Sequence, residues 1–288
     1  MRVLTVPNWS FGRDQDLVKR FRERFPALGL ALHYLEADLD HNRTVSAFSG
    51  ELPIVLEKLR ELCGLALERV DLNRHVGVHP RIGALDVCPF VALPFWNVPF
   101  ASLDEGVRNF AEELAETYEL PVFLYEKSER GRHEADLPSL RKGGFGGLIG
   151  RELNPDFGPR IAHPTLGVTI MGVRDFLIAF NVNLGTENVL LARQFAKKMR
   201  EGREAGDSRF LGVRALGFPL QTRSLSQVSV NLTLPDLTGV DPIVEWVQRQ
   251  ASDVEVSVKS TELIGVIRQQ ELDRSTRLPI KPEQIVDG

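Results

Sequence analysis

The chain has 288 residues, 43% of them hydrophobic and 26% charged, which is enough apolar material for a sizeable core and for two domains. A formal net charge of -4 argues against a general nucleic-acid binder. The opening residues contain no apolar secretory stretch. The longest weakly charged run, residues 82–100, holds Asp86 and three prolines that a membrane helix would not keep, so a cytoplasmic protein with no membrane partner is expected.

Residues 3–7 are predicted as a short strand. A helix follows, with Leu17, Val18, Phe21, Phe25 and Leu28 on its apolar face. Residues 30–35 and 43–48 read as strands joined by the polar turn Asp38-Leu39-Asp40-His41-Asn42. A second helix spans residues 52–70, and a strand comes after His79. This β-α-β-β-α-β order is the ferredoxin-like, or split βαβ, pattern.

Between the second helix and that strand lies Arg74-His75-Val76-Gly77-Val78-His79-Pro80-Arg81-Ile82-Gly83-Ala84-Leu85-Asp86-Val87-Cys88-Pro89-Phe90. Pro80 biases His79 away from helix, while Gly77 and Gly83 let the backbone bend on either side. A histidine, an arginine and a carboxylate at one strand end have the makings of an acid–base site in His79, Arg81 and Asp86. The plainer alternative pairs Asp86 with Arg81 and leaves His79 a surface residue. His75 and His79 have the four-residue spacing of zinc ligands on a helix, but Gly77 and Pro80 oppose that helix and no third ligand is evident, so no metal is expected. Cys63 and Cys88 lie in apolar settings and are expected as reduced core thiols.

Next comes an insertion. Ser102-Leu103-Asp104-Glu105 reads as a capping box opening a helix that buries Leu103, Val107, Phe110, Leu114 and Tyr118, and residues 122–125 read as a strand. The glycines of Lys142-Gly143-Gly144-Phe145-Gly146-Gly147-Leu148-Ile149-Gly150 suggest a phosphate loop, but no Gly-Lys-Ser/Thr follows and Ile149 occupies the last glycine position of the dinucleotide fingerprint. What remains is a basic loop suited to an anionic ligand. Gly158-Pro159-Arg160-Ile161-Ala162-His163-Pro164-Thr165-Leu166-Gly167 belongs to a punctuated loop expected to bridge the two halves and to border a ligand cleft.

In the second half, residues 176–184 alternate as a strand, 186–200 form a helix, 213–220 and 227–234 a strand pair, 241–251 a helix and 254–258 a strand. The β-α-β-β-α-β order recurs. Asn181, Asn183, Ser229, Asn231 and Thr233 make a polar row opposite the core face, which either meets water or lines a cleft. The expected fold class is α+β: two ferredoxin-like (βαββαβ) α/β subdomains in tandem, residues 1–173 and 174–288, with a ligand cleft between them.

The stretch from His79 to Phe90 resembles the signature of the glutamate formiminotransferase family, the folate-dependent domain that animals fuse to a cyclodeaminase. The likeness continues in Val6-Pro7-Asn8-Trp9-Ser10, His41-Asn42-Arg43-Thr44-Val45, Pro121-Val122-Phe123-Leu124-Tyr125 and Leu137-Pro138-Ser139-Leu140-Arg141. Pro155-Asp156-Phe157-Gly158-Pro159, Ala179-Phe180-Asn181-Val182-Asn183-Leu184 and Glu262-Leu263-Ile264-Gly265 extend it over nearly the whole chain. The resemblance implies transfer of a formimino group from N-formimino-L-glutamate to N5 of tetrahydrofolate, a homodimer, and a folate tunnel between two similar subdomains. It places the proton-accepting histidine at His79 and folate contacts at residues 158–167 and at Lys198-Met199-Arg200. It also implies an acidic group at Glu36. The sequence stops near the end of the transferase module, which makes a separate cyclodeaminase a candidate partner.

The chemistry suits these residues. N5 must lose a proton as it attacks the formimino carbon, and an imidazole can take it. Both substrates carry carboxylates, for which Arg43, Arg81 and Arg160 are suitable anchors, with Asn42 and Asp86 beside them. Tetrahydrofolate is then a co-substrate. The sequence departs from the family pattern at Phe11, Gly144 and Gly146, where acids are common. Two alternatives therefore stay open: glutamate formyl transfer with 5-formyltetrahydrofolate, and a folate-binding protein without catalysis. An RNA-binding module is disfavoured, because the aromatic stacking motif is missing from the predicted strands.

Overall fold

The uncharged run after Gly83 becomes a strand buried at every position, Leu85–Val91, and the first sheet is assembled around it in the computed structural model, which describes residues 1–287. The chain divides into two units, Met1–Asp175 and a second beginning at Phe176. The first runs β1 (Arg2–Thr5), β2 (Asn8–Trp9), α1 (Gln15–Arg24), β3 (Leu30–Asp38), β4 (Arg43–Glu51), α2 (Leu52–Leu67) and β5 (Leu85–Val91). It continues through α3 (Phe100–Tyr118), β6 (Val122–Leu124), α4 (Leu137–Leu140) and β7 (Thr169–Val173). β1 and β2 are two pieces of one strand, broken at Val6-Pro7, and both lie between β4 and β5 in antiparallel pairings. β3 flanks β4, while β7 and β6 extend the sheet beyond β5 in parallel.

The period-2 pleat sends alternate residues to opposite faces. Along β5 and β7, Cys88 and Met171 join the core beneath α1, α2 and α3, whereas Val87 and Ile170 join a second cluster with Ile82, Phe123, Leu148 and Val168. The region between β6 and β7 thus covers the sheet face opposite the helices. The loop at residues 156–167 lies wholly within this unit: Asp156 and Phe157 donate backbone N–H groups to Val122 O at 3.0 and 3.2 Å. It threads β6 to β7 and does not join the two halves, because β7, which the pattern did not disclose, intervenes.

Local chemistry sets most helix ends. Asp14 caps α1 by accepting from Leu17 N at 3.0 Å, and Arg22 and Arg24 stand at its C-terminal end. The helix stops at Arg24, so Leu28 is 99% exposed and is not part of its apolar face. The capping box at Ser102 is not used. Pro99 stands at the N-cap, α3 has begun by Phe100, and Asp104 turns inward to Arg108 and Arg130 at 2.9 and 2.8 Å. No helix among the described residues is long and apolar enough to cross a membrane.

The second unit runs β8 (Ile178–Leu184), α5 (Val189–Glu204), β9 (Val213–Leu220), β10 (Leu225–Leu232), α6 (Val240–Ser252) and β11 (Val258–Ile264), followed by the parallel pair β12 (Ile267–Arg268) and β13 (Ile285–Val286). Its four-stranded sheet has the order β11-β8-β10-β9, all antiparallel. The last strand of this sheet falls at Val258–Ile264, not at residues 254–258. Residues 252–255 are taken up by the end of α6 and a turn at Glu255, and the strand proper is a polar edge strand, for which apolar alternation is a poor guide. The polar row is buried at one end and half-buried at the other: Asn181 and Asn183 are 4% and 1% exposed, whereas Ser229, Asn231 and Thr233 are only partly covered. Asn183 donates to Ser260 Oγ at 2.9 Å and to Glu262 Oε1 at 2.7 Å, and accepts from Gln227 Nε2 at 2.9 Å.

Two glycines allow the segment before β5 to cross the one before β7. A Cβ on Gly83 would lie 1.9 Å from Val168 O, and one on Gly167 would lie 2.0 Å from Ile82 O, at a residue whose φ is +72°. Gly83→Ala and Gly167→Ala should each cost about 2–4 kcal/mol in urea unfolding. Gly146→Ala, which meets nothing within 4 Å, should leave the midpoint nearly unchanged. An unaltered midpoint in Gly83→Ala would show that the crossing relaxes freely.

Candidate active site

The site begins with the β3–β4 turn. Asn42 adopts a left-handed φ of 46°, and its Oδ1 accepts from Gly12 N and Arg13 N at 2.9 and 3.0 Å. Its Nδ2 donates to Val76 O at 3.1 Å, so one side chain ties the turn to two other segments. The loop between α2 and β5 lies down on this turn. Val78 N donates to Asp40 O at 3.1 Å, and a Cβ on Gly77 would come 2.3 Å from His41 O. That close approach brings His79 beside Arg43 of β4.

His79 Nδ1 donates to Pro80 O at 2.8 Å, and its Nε2 accepts from Arg43 Nη1 at 2.7 Å. The His41 ring lies 5.6 Å away, centroid to centroid. Burial, reinforced by the charges of Arg43, Arg141 and His41, holds the His79 pKa well below the ordinary imidazole value, so the ring is neutral near pH 7. Burial, with Arg141 next in weight, also lowers Arg43 to about 10, still a cation.

Arg81 does not pair with Asp86, contrary to the plainer expectation. Its Nη2 donates to His41 O and His79 O at 2.8 and 2.7 Å, and its Nη1 meets the His75 ring. The partner of Asp86 is Arg141, at the end of α4. The other Asp86 oxygen accepts from Ile82 N and Gly83 N at 2.8 and 3.2 Å. Asp86 is therefore a buried, fully engaged holder rather than part of an acid–base pair with His79. Beyond Arg141, Phe145 N donates to Arg81 O at 3.0 Å, closing a cavity of about 300 Å³ lined by Leu72, His75, Gly77, His79, Arg81, Phe145 and Gly146.

The other expected residues are spread more widely. Glu36 shares a sheet face with Arg43, being opposite Val45, but is exposed on the β3 edge and meets Arg22 at 3.4 Å. Within residues 158–167, a tight turn pairs His163 with Gly167, and Pro164 O and Thr165 O accept from Asn73 Nδ2 and Leu72 N at 2.8 and 2.9 Å. The segment thus abuts the start of the loop that carries His75 and His79. Arg160 is exposed and meets Glu152 at 3.3 Å. In α5, Lys198 reaches Gln250 at 2.7 Å, Arg200 holds Ala215 O at 2.6 Å, and Met199 is 0% exposed in the core. Phe11, one of the departures, packs against Phe21 at 4.8 Å, whereas Gly146 lines the cavity and Gly144 lies beside Arg81 O. Burial raises the Cys88 thiol to about 12, which makes it a core residue rather than a nucleophile. Arg141 and His41 were not singled out by sequence reasoning. Each lies in a quoted motif, and their roles emerge only through contacts distant in sequence.

A neutral imidazole ringed by Arg43, Arg81 and Arg141 can bind anionic groups and accept a proton. Residues 2–174 match the model of the formiminotransferase domain, N-terminal subdomain, and residues 179–287 that of the formiminotransferase domain. The chain is 34% identical to a glutamate formimidoyltransferase of Streptococcus pyogenes serotype M1 over 92% of its own length and 88% of that protein. It is 31% identical to one of Thermoplasma acidophilum over 94% and 89%. Against a formimidoyltransferase-cyclodeaminase of Sus scrofa it is 35% identical over 92% of its own length, but it spans only 50% of that protein. Likeness to solved structures is too slight to bear on fold or chemistry; the periplasmic protease PqqL of Escherichia coli gives a TM-score of 0.21 at 9% identity, over 94% of this chain and 35% of that one.

The depressed pKa of His79 has a thermodynamic consequence. The unfolded chain binds a proton at this residue below about pH 6.5, where the folded chain resists it, so its contribution to stability is present above pH 6.5 and is lost on acidification. Comparing urea unfolding of the native chain with His79→Gln from pH 7.5 down to 5, the variant should lose less stability, by up to about 1.4 kcal/mol per pH unit. Parallel pH profiles would mean that His79 titrates normally.

Proposed function

The chain belongs to the formiminotransferase family, and from that premise we propose that it transfers the formimino group of N-formimino-L-glutamate to N5 of tetrahydrofolate, releasing glutamate, in histidine breakdown. The observation that carries this reading is His79, a neutral imidazole whose Nε2 lone pair is aimed among cationic anchors for carboxylates. N5 attacks the formimino carbon, and its proton passes to Nε2. The tetrahedral adduct then collapses as the bond from carbon to the glutamate nitrogen breaks, and the same proton goes to that nitrogen. Arg43 and Arg81 anchor carboxylates, and Asn42 and Asp86 hold the segments that present them. Glu36, on the same sheet face as Arg43, would meet substrate at the sheet edge.

Tetrahydrofolate is the co-substrate, and its contacts are assigned to residues 158–167, Lys198 and Arg200. Met199, buried in the core, serves packing. The enzyme is read as a cytoplasmic homodimer of two ferredoxin-like subdomains, 1–173 and 174–288. Both strand orders support that description, and a cyclodeaminase on another chain would consume the product. The reaction should show directly in an ultraviolet assay with tetrahydrofolate and N-formimino-L-glutamate.

One observation favours a second reading. A formimino group is an amidine and is cationic at neutral pH, yet Gly146 in the cavity wall and Gly144 beside Arg81 stand where carboxylates are common. A neutral formyl group would meet less repulsion from Arg43, Arg81 and Arg141. Faster turnover with N-formyl-L-glutamate than with N-formimino-L-glutamate would replace the first reading with formyl transfer.

In either case His79→Gln should lower kcat by roughly 10²–10⁴-fold while folate binding persists. Full activity in that variant would remove His79 from the mechanism. Arg160→Ala and Lys198→Ala should weaken folate binding, by less as salt is raised, since both side chains contact solvent. Unchanged affinity in both would overturn the folate assignment.

A further inference from the structure

His79 has been given the proton of N5, yet its accepting nitrogen is already engaged. Pro80 O can only accept, so the ring proton resides on Nδ1, and the lone pair on Nε2 takes the hydrogen bond from Arg43 Nη1 at 2.7 Å. The other tautomer would set an N–H against the guanidinium and a lone pair against the carbonyl. Arg43 for its part is poorly compensated. Its Nε is buried with no partner among the described residues, and its contact with Asn8 Oδ1 is long, at 3.4 Å. Asp38, opposite Arg43 in the register, and Asp86 act on it through space, while each also holds another group: Asp38 accepts from His41 N at 2.7 Å, and Asp86 holds Arg141.

We propose that Arg43 is a latch on the base: a substrate carboxylate that pairs with its guanidinium draws Nη1 away from His79 Nε2 and frees that nitrogen to accept a proton. The inference rests on the reading of His79 as base and of a glutamate derivative as donor. A two-pronged bond between guanidinium and carboxylate is stronger than one from guanidinium to a neutral imidazole, so the exchange runs downhill. It also neutralises the charge that most opposes an imidazolium. The N5 proton then moves to Nε2 while the other ring proton stays on Nδ1, hydrogen-bonded to Pro80 O, and the departing amine later collects the proton from Nε2. Arg43 is thus a positioning residue that ties proton acceptance to an anionic substrate.

Several charged groups face His79: Arg43 from β4, His41 from the β3–β4 turn, Arg141 from the end of α4, and Arg81 from its own segment, with Asp38 and Asp86 beside the arginines. Of these, Arg43 touches Nε2 directly. The test is an NMR titration of the His79 ring in the full chain, assigned with His79→Gln, with and without saturating L-glutamate as the dicarboxylate probe at fixed ionic strength. Glutamate should raise the His79 pKa by about one unit or more, a tenfold gain in proton affinity. In Arg43→Gln the pKa should start high and respond little. Glutamate that fails to bind, or that binds with the titration unmoved, overturns the latch, and the native chain decides this even if the variant does not fold. Turnover of N-formimino-L-glutamate with an unmoved titration sinks the latch alone. A shifted titration with no formimino transfer sinks the functional reading and leaves the latch.

Discussion

The buried carboxylate of Asp86 is the interaction on which the site depends. One oxygen holds the backbone N–H groups of Ile82 and Gly83 where the chain enters β5, and the other holds Arg141. Two segments 55 residues apart in sequence are thereby fixed to each other, and Phe145 can reach Arg81 O to close the cavity. Neither ion would be tolerable alone in so dry a place, since removing one partner strands the other without solvation. The carboxylate therefore sets the wall of the cavity and leaves the chemistry to the imidazole.

Around that wall the charges are markedly unequal. Arg81 lines the cavity with Arg43 and Arg141 behind His79, and the closest acids bond to backbone N–H groups or to Arg141 itself. Burial is the larger reason that His79 resists protonation, and this excess of cations adds to it and favours carboxylates. It also explains why His79, one residue from Pro80 O and in contact with Arg43, has a defined tautomer.

Much of this was legible in the sequence. Gly77, Pro80 and Gly83 announced a bent segment between helix and strand, and His79 and Arg81 stood out there as ionisable groups beside an apolar run. Arg43 was named as an anchor from its motif. The partner of Asp86 was not legible, because the nearer Arg81 is the simpler choice in sequence, whereas the fold spends Arg81 on carbonyls. β7 was missed because a five-residue parallel strand directly after a glycine turn offers little periodicity. β11 was displaced because an edge strand is polar, and the capping box at Ser102 failed because Pro99 had already begun the helix. The polar row on two strands of the second half is legible, but the bonds from Asn183 to Ser260 and Glu262 involve a neighbouring strand, β11, that the pattern places too early.

The interlock of Gly77 with His41 bears on the order in which the molecule assembles. The β3–β4 hairpin is local and can form from a short stretch of chain, whereas Gly77 reaches it only after all of α2 has been laid down. His79 acquires its neighbours in that later step. The docked loop is held to the turn by Val78 N, Asn42 Nδ2, the His75 ring, Arg81 Nη2 and the close packing at Gly77, mostly side-chain bonds that lack the continuous ladder of the sheet below. On heating, the loop can lift while the sheet persists, so activity is lost before the sheet melts and returns on cooling without complete refolding.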